Sequence, residues 1–114
     1  MKIKMALLNF DEKNEQYVYD VNKFSYDSEK IYCGYVSEEA AISNFKDAAA
    51  FAISNIKIIN NQLVGDFQFI NGKATELLQW IANFKIKTIL NAEIDDETQE
   101  VTSASVHAFS AEPI

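Results

Sequence analysis

His107 is the single histidine of this chain, and so the one ordinary side chain that changes charge near neutral pH. Ser103 and Ser105 precede it at intervals of two, and Ser110 follows three residues later. On a strand, Ser103, Ser105 and His107 would share a face, which brings a general base near candidate nucleophiles. Nucleophile and base normally converge from different elements, however, and small polar residues are commonplace on any exposed strand. The structural reading of this stretch is therefore preferred to the catalytic one. Cys33, beside Gly34, would need a nearby cation or helix start to become a reactive thiolate, and only Lys30 is close in sequence. An inert, buried cysteine is the better reading.

The remaining polar clusters support no metal or cofactor. One cysteine and one histidine supply neither an intrachain disulfide nor a zinc site of Cys/His type. Asp95, Asp96, Glu97 and Glu100 lack the alternating oxygen ligands and glycine of a calcium loop. They read as a solvated turn, as do Asp11, Glu12 and Glu15. No G-x-G-x-x-G, P-loop or G-x-S-x-G string occurs, so a phosphate-cradling loop or nucleophile elbow is not expected. Tyr17, Tyr19, Tyr26, Tyr32 and Tyr35 are concentrated in the first third, where they are candidates for interface anchors. Packing against a sheet is the equal alternative.

Composition bounds what these residues can serve. A chain of 114 residues is the size of one domain, and 48% apolar and 12% aromatic content is ordinary for a globular fold. No apolar run is long enough for a membrane helix, and the opening MKIKMALLNF reads as a first strand rather than a signal peptide. The formal charge is -7, from 17 acidic residues against 10 basic ones, and every basic residue is lysine. A negative field without one guanidinium fork argues against a nucleic-acid ligand.

The elements that must position these residues follow from periodicity. Residues 2–10 read as a strand, 11–16 as a turn and 17–24 as its hairpin partner. Residues 31–36 read as an extended segment in which Gly34 marks a bulge or a close approach. Ser37 caps a helix over 38–46, with Glu38 and Glu39 in its first turn and Ala41, Ile42, Phe45 and Ala49 at helical spacing. The switch from helix to strand falls near Phe51. The turn Asn60-Asn61-Gln62 joins two alternating runs into the strongest hairpin of the chain. A helix from Asn71 or Gly72 places Ala74, Leu77, Leu78, Ile81 and Phe84 on one face. Strands over 86–94 and 100–110 close the pattern around a turn at 95–99. The sum is an α+β single domain, a mostly antiparallel sheet with two helices packed on it.

From Phe51 onward, the order strand, turn, L-V-G-D-F-Q-F-I, helix, strand, turn, strand and S-A-E-P resembles the serine proteases that mature the proheads of tailed phages. The resemblance covers about residues 45–114. Placing Val64-Gly65 on that family's V-x-G region puts Phe51 at or near the motif histidine, and placing Ile86 to Leu90 on its following strand puts Asn91 and Ala92 at the nucleophilic serine. His107 is not the motif histidine. A phenyl ring accepts no proton, and neither an amide nor an alanine attacks a carbonyl, so cleavage by that mechanism is not expected.

The resemblance implies an inactive copy of a capsid-maturation fold. The leading expectation is a non-enzymatic virion component, a capsid auxiliary or decoration protein bound to the major capsid protein, made in the host cytoplasm and retained in the particle. The alternative is a small acidic inhibitor or binding module that occupies a basic surface of a partner. A hydrolase built on His107 is the least favoured reading.

Overall fold

Alternating apolar residues make most of the chain extended in the computed structural model, which describes residues 2–14, 17–70, 72, 76–78 and 84–113. The strands are β1 (Ile3–Asn9), β2 (Lys13–Asn14), β3 (Tyr17–Val18), β4 (Phe24–Ser25), β5 (Tyr32–Tyr35), β6 (Phe51–Ile59), β7 (Gln62–Phe69), β8 (Phe84–Ile94) and β9 (Val101–Pro113). One helix, α1 (Glu38–Ser43), follows β5, and 3-10 turns occupy Val21–Lys23 and Lys46–Ala48. The main sheet runs β1-β7-β6-β5-β9, with β8 on the far edge of β9 and β4 pairing with β9 beyond the end of β5. β2 and β3 form a separate two-stranded ribbon.

The sheet is mixed, which corrects the expectation of a mostly antiparallel one. β5 and β4 both lie parallel to β9, and the other pairings in the sheet are antiparallel. The sheet also curls on itself. Thr88 Oγ1 of β8 donates to the Leu7 carbonyl of β1 at 2.7 Å, so the two outermost strands meet at that point. Inside the curl lies the larger core, with Phe51, Ile53, Ile56, Leu63, Phe67 and Phe109 fully buried.

Three bulges let the apolar residues reach that core. In β6, Ser54 pairs with Asp66 and Lys57 with Val64, so the bulged strand carries one residue more than its partner. Asn55 takes the left-handed backbone (φ 52°) that asparagine tolerates, and its side chain donates to Asp66 Oδ2 at 2.9 Å. Phe51 and Ile53 before the bulge, and Ile56 after it, therefore face the same core. Leu7 is the extra residue of β1, and His107 is an extra residue of β9, between Leu90↔Val106 and Ile89↔Ala108. Val106 and Phe109, three apart, consequently lie in one core, whereas Ala108 joins a second, smaller one with Tyr35, Ala41 and Ile89.

The second core is the contact of α1 with the other face of the sheet. Ser37 caps α1, its Oγ accepting from the Ala40 N–H at 3.2 Å, and Glu38 reaches across to Lys87 Nζ at 3.2 Å. The helix stops at Asn44, whose left-handed backbone (φ 52°) turns the chain, so it is shorter than the span 38–46. That early stop leaves Ile42 and Phe45 59% and 63% exposed, against the expectation that both join Ala41 on a core face.

Other expectations are met or corrected locally. β6 begins at Phe51, and its hairpin with β7 turns on Asn60 and Asn61 alone, with φ 49° and 63°, the two-residue form whose twist suits a hairpin. Residues 17–24 do not pair with β1, which lies instead against β7. Asp20 breaks that stretch by accepting from the Asn22 N–H at 2.9 Å, which starts a 3-10 turn. Of the helix expected after Gly72, residues 76–78 are helical, with Leu78 buried and Leu77 56% exposed, while Phe84 belongs to β8. Ala74 and Ile81 lie outside the described residues.

Candidate functional site

His107 owes its position to the β9 bulge, which turns its ring toward the end of α1. Nε2 lies 3.0 Å from the Ile42 carbonyl. A carbonyl only accepts, so this nitrogen carries the proton and caps one of the carbonyls that a helix end leaves without an intrahelical partner. The ring is thus engaged as a structural donor between β9 and α1.

The three serines near it separate. Ser103 and Ser105 lie on the open face of β9, where Ser105 stands in a row with Ser25 of β4 and Asn91 of β8, and Ser103 opposes Glu93. Ser110 stands past the bulge, between Tyr35 of β5 and Lys87 of β8. It is fully buried, and its hydroxyl has no hydrogen-bond partner among the described residues. A nucleophile there would be inaccessible to any substrate.

Phe51 and the pair Asn91 and Ala92 are not brought together. Phe51 of β6 opposes Gly34 of β5, Gly34 opposes Phe109 of β9, and Phe109 opposes Thr88 of β8. Two strands run between Phe51 and β8, a separation of roughly 14 Å at the usual strand spacing. Phe51 is buried against Gly34, where a Cβ would overlap the Phe51 ring. This is the close approach anticipated at Gly34. Asn91 and Ala92 are exposed on the far half of β8.

The tyrosines divide as well. Tyr32 and Tyr35 are buried, and Tyr17, Tyr19 and Tyr26 are half-buried. The Tyr32 hydroxyl accepts from the Asp27 N–H at 3.1 Å, and Tyr35 donates to Asn44 Oδ1 at 2.6 Å, which locks the turn after α1 to the sheet. Burial, reinforced by neighbouring Cys33, pushes the Tyr35 hydroxyl up to about 12. Cys33 is half-buried beside it.

Two surface regions remain. A cleft of about 260 Å³ follows the seam between β1 and β8, floored by Leu7, Leu8 and Ile86 and edged by Lys85 and Glu112. At the opposite end, β8 and β9 continue as a ribbon. β9, with 13 residues, matches in length the 43 Å long axis of the molecule. The ribbon ends in the acidic turn, where Asp95 accepts from the Glu97 and Thr98 N–H groups at 2.9 and 3.0 Å. Those two bonds, Thr98 first, hold the exposed Asp95 carboxyl below its usual range. Among the described residues no group of three or more His, Cys, Asp or Glu side chains is arranged to hold a metal, and no helix is long and apolar enough to cross a membrane. No family model, no curated protein and no solved structure matches this chain.

Proposed function

We propose that this chain is a non-enzymatic structural or binding protein that acts through its surface. The observation that carries the reading is the state of His107, whose ring donates to the Ile42 carbonyl while the nearest downstream serine, Ser110, is sealed in the sheet. That bond ties one ring nitrogen to α1, and among the described residues no serine hydroxyl is hydrogen-bonded to the other. His107→Ala is expected to lower stability by about 1 kcal/mol, the typical worth of one hydrogen bond. Turnover of a peptide or ester library that disappears in His107→Ala, with the fold intact by circular dichroism, would contradict the reading.

The specific form we favour is a virion component bound to the major capsid protein. It rests on the order of elements from β6 to β9 and not on an emptied catalytic pair, since β5 and β9 run between Phe51 and Asn91. Purified phage particles are expected to contain the chain in many copies, read as a stoichiometric band. Particles that lack it would rule this form out.

A second reading has its own support in the acidic turn at the ribbon tip, which presents Asp95, Asp96, Glu97 and Glu100 on a chain of charge -7. Such an end suits a basic groove on another protein. Binding to that partner should weaken steeply between low and moderate salt, and indifference to salt would dismiss the inhibitor reading.

A further inference from the structure

We propose that the outer edge of β8 over residues 90–94 is a self-association surface, pairing antiparallel with the same five residues of a second copy about a two-fold axis through Ala92. This inference does not depend on the capsid or inhibitor reading.

The edge is open. β9 covers one side of β8, and among the described residues no strand pairs with the other. β1 reaches that side at Thr88, through Leu7, and Leu90, the first of the five residues, lines the cleft beside Leu7 and Leu8. The Glu93 carbonyl accepts from Thr102 Oγ1 at 3.1 Å, and the Asp95 N–H donates to the Glu100 carbonyl at 2.9 Å. Residues 93 and 95 therefore turn their backbone groups toward the β9 side, and alternation turns those of Leu90, Ala92 and Ile94 outward.

Lysine, proline and bulged residues are absent from these five residues, whose one charged side chain is Glu93. Lysines, prolines and bulges keep exposed edges from pairing. Here Lys85 and Lys87 lie in the other half of β8, and the extra residues Thr102 and His107 lie on β9. What remains is Leu-Asn-Ala-Glu-Ile, with Asn91, Ala92 and Glu93 exposed.

That string complements itself in one register. With Ala92 facing Ala92 of the second copy, Leu90 faces Ile94 and Asn91 faces Glu93, each twice by symmetry. The apolar pairs extend one face of the ribbon, and each Asn91 amide donates to a carboxylate on the other. Centring on Glu93 sets two carboxylates opposite one another. Centring on Ile89 pairs Lys85 with Glu93 but needs the edge near Thr88, where β1 already lies. Pairing about Ala92 also joins each copy's β4-β9-β8 unit into one continuous sheet across the axis.

Five residues make a small interface, so the association is weak and concentration-dependent. Salt should strengthen it, because each copy carries charge -7. Sedimentation equilibrium of the full chain from about 10 μM to about 1 mM tests the proposal in a range where weak complexes populate. Asn91→Lys, which sets lysine opposite Glu93 twice, is expected to tighten the dimer about tenfold, and Asn91→Glu to loosen it about tenfold. Asn91→Glu combined with Glu93→Lys should recover wild-type affinity or better. Ala92→Pro removes an outward N–H and should abolish dimerisation with the circular dichroism spectrum unchanged. Association that survives Ala92→Pro, or that ignores the charge at position 91, would overturn the proposal. So would a chain that stays monomeric throughout the range as both wild type and Asn91→Lys.

Discussion

The β5–β6–β7 region and the outer half of the β8–β9 ribbon are both paired strands, yet they end in opposite states. In the first, Phe51 lies on Gly34, Gly65 admits Ile53 from across the strand pair, and the rings of Phe51 and Phe67 stack 4.8 Å apart. Side chains fill the space between the strands. In the second, Asn91, Ala92, Glu93 and Ser103 face solvent, and among the described residues no strand pairs with the outer edge of β8 over 90–94. The positions that the protease resemblance singles out therefore fall in two environments. One is hydrocarbon core, where no substrate can reach, and the other is open surface, where contact with a partner is possible.

Substitutions should separate the two regions sharply. The largest effect is expected at Phe51→Ala, which empties a fully buried ring site and should cost about 3–5 kcal/mol in denaturant unfolding. Gly34→Ala follows, at about 3 kcal/mol, because the new Cβ must displace that same ring. The two should be far from additive, since removing the ring removes the obstacle. Additive costs would mean that the Gly34 contact does not seal this region.

Ser110→Ala is expected to act in the other direction, raising stability by about 1 kcal/mol, because the hydroxyl is buried without a partner among the described residues and its removal relieves a desolvation cost. Tyr35→Phe should cost about 1 kcal/mol through the lost bond to Asn44. Its pH signature is distinct. With the Tyr35 hydroxyl raised to about 12 in the fold, its contribution is complete below pH 10 and is lost as pH rises from 10 toward about 12. Urea midpoints measured across that window should fall more steeply for the wild type than for Tyr35→Phe. The smallest effects belong to the ribbon, where Asn91→Ala and Ser103→Ala should stay within about 0.5 kcal/mol of wild type. A larger loss at either would mean that the ribbon is part of the core it extends from.

Much of the sealed region was legible in the sequence. Asn60-Asn61 between alternating runs marked the β6–β7 hairpin, Gly34 marked a close approach, and Ser37 with Glu38 and Glu39 marked the start of α1, because each of these signals is local chemistry. The parallel pairing of β5 and β4 with β9 was not legible, since contacts between distant segments leave no pattern in either one. Bulges hid the rest. Period-two alternation carries Ile53 to Ile56 and Val106 to Phe109 onto opposite faces, and one extra residue, at Asn55 and at His107, returns each pair to the same core. Position along β9, not face, separates Ser110, since the bulge leaves it on the face that Ser103 and Ser105 share, opposite Lys87 as they are opposite Glu93 and Asn91. The sequence groups it with Ser103 and Ser105, but it lies beyond His107, in the part of β9 that is buried between β5 and β8.

Amide hydrogen exchange at two protein concentrations tests the contrast between sealed core and open edge most directly. The N–H groups of Ile53, Phe67 and Phe109 should exchange only through global unfolding, at rates independent of concentration. Those of Ala92 and Ile94 should exchange freely in dilute solution and slow markedly near 1 mM, while Asn91 and Glu93, bonded to β9, are protected throughout. Strong, concentration-independent protection at Ala92 and Ile94 would contradict the account.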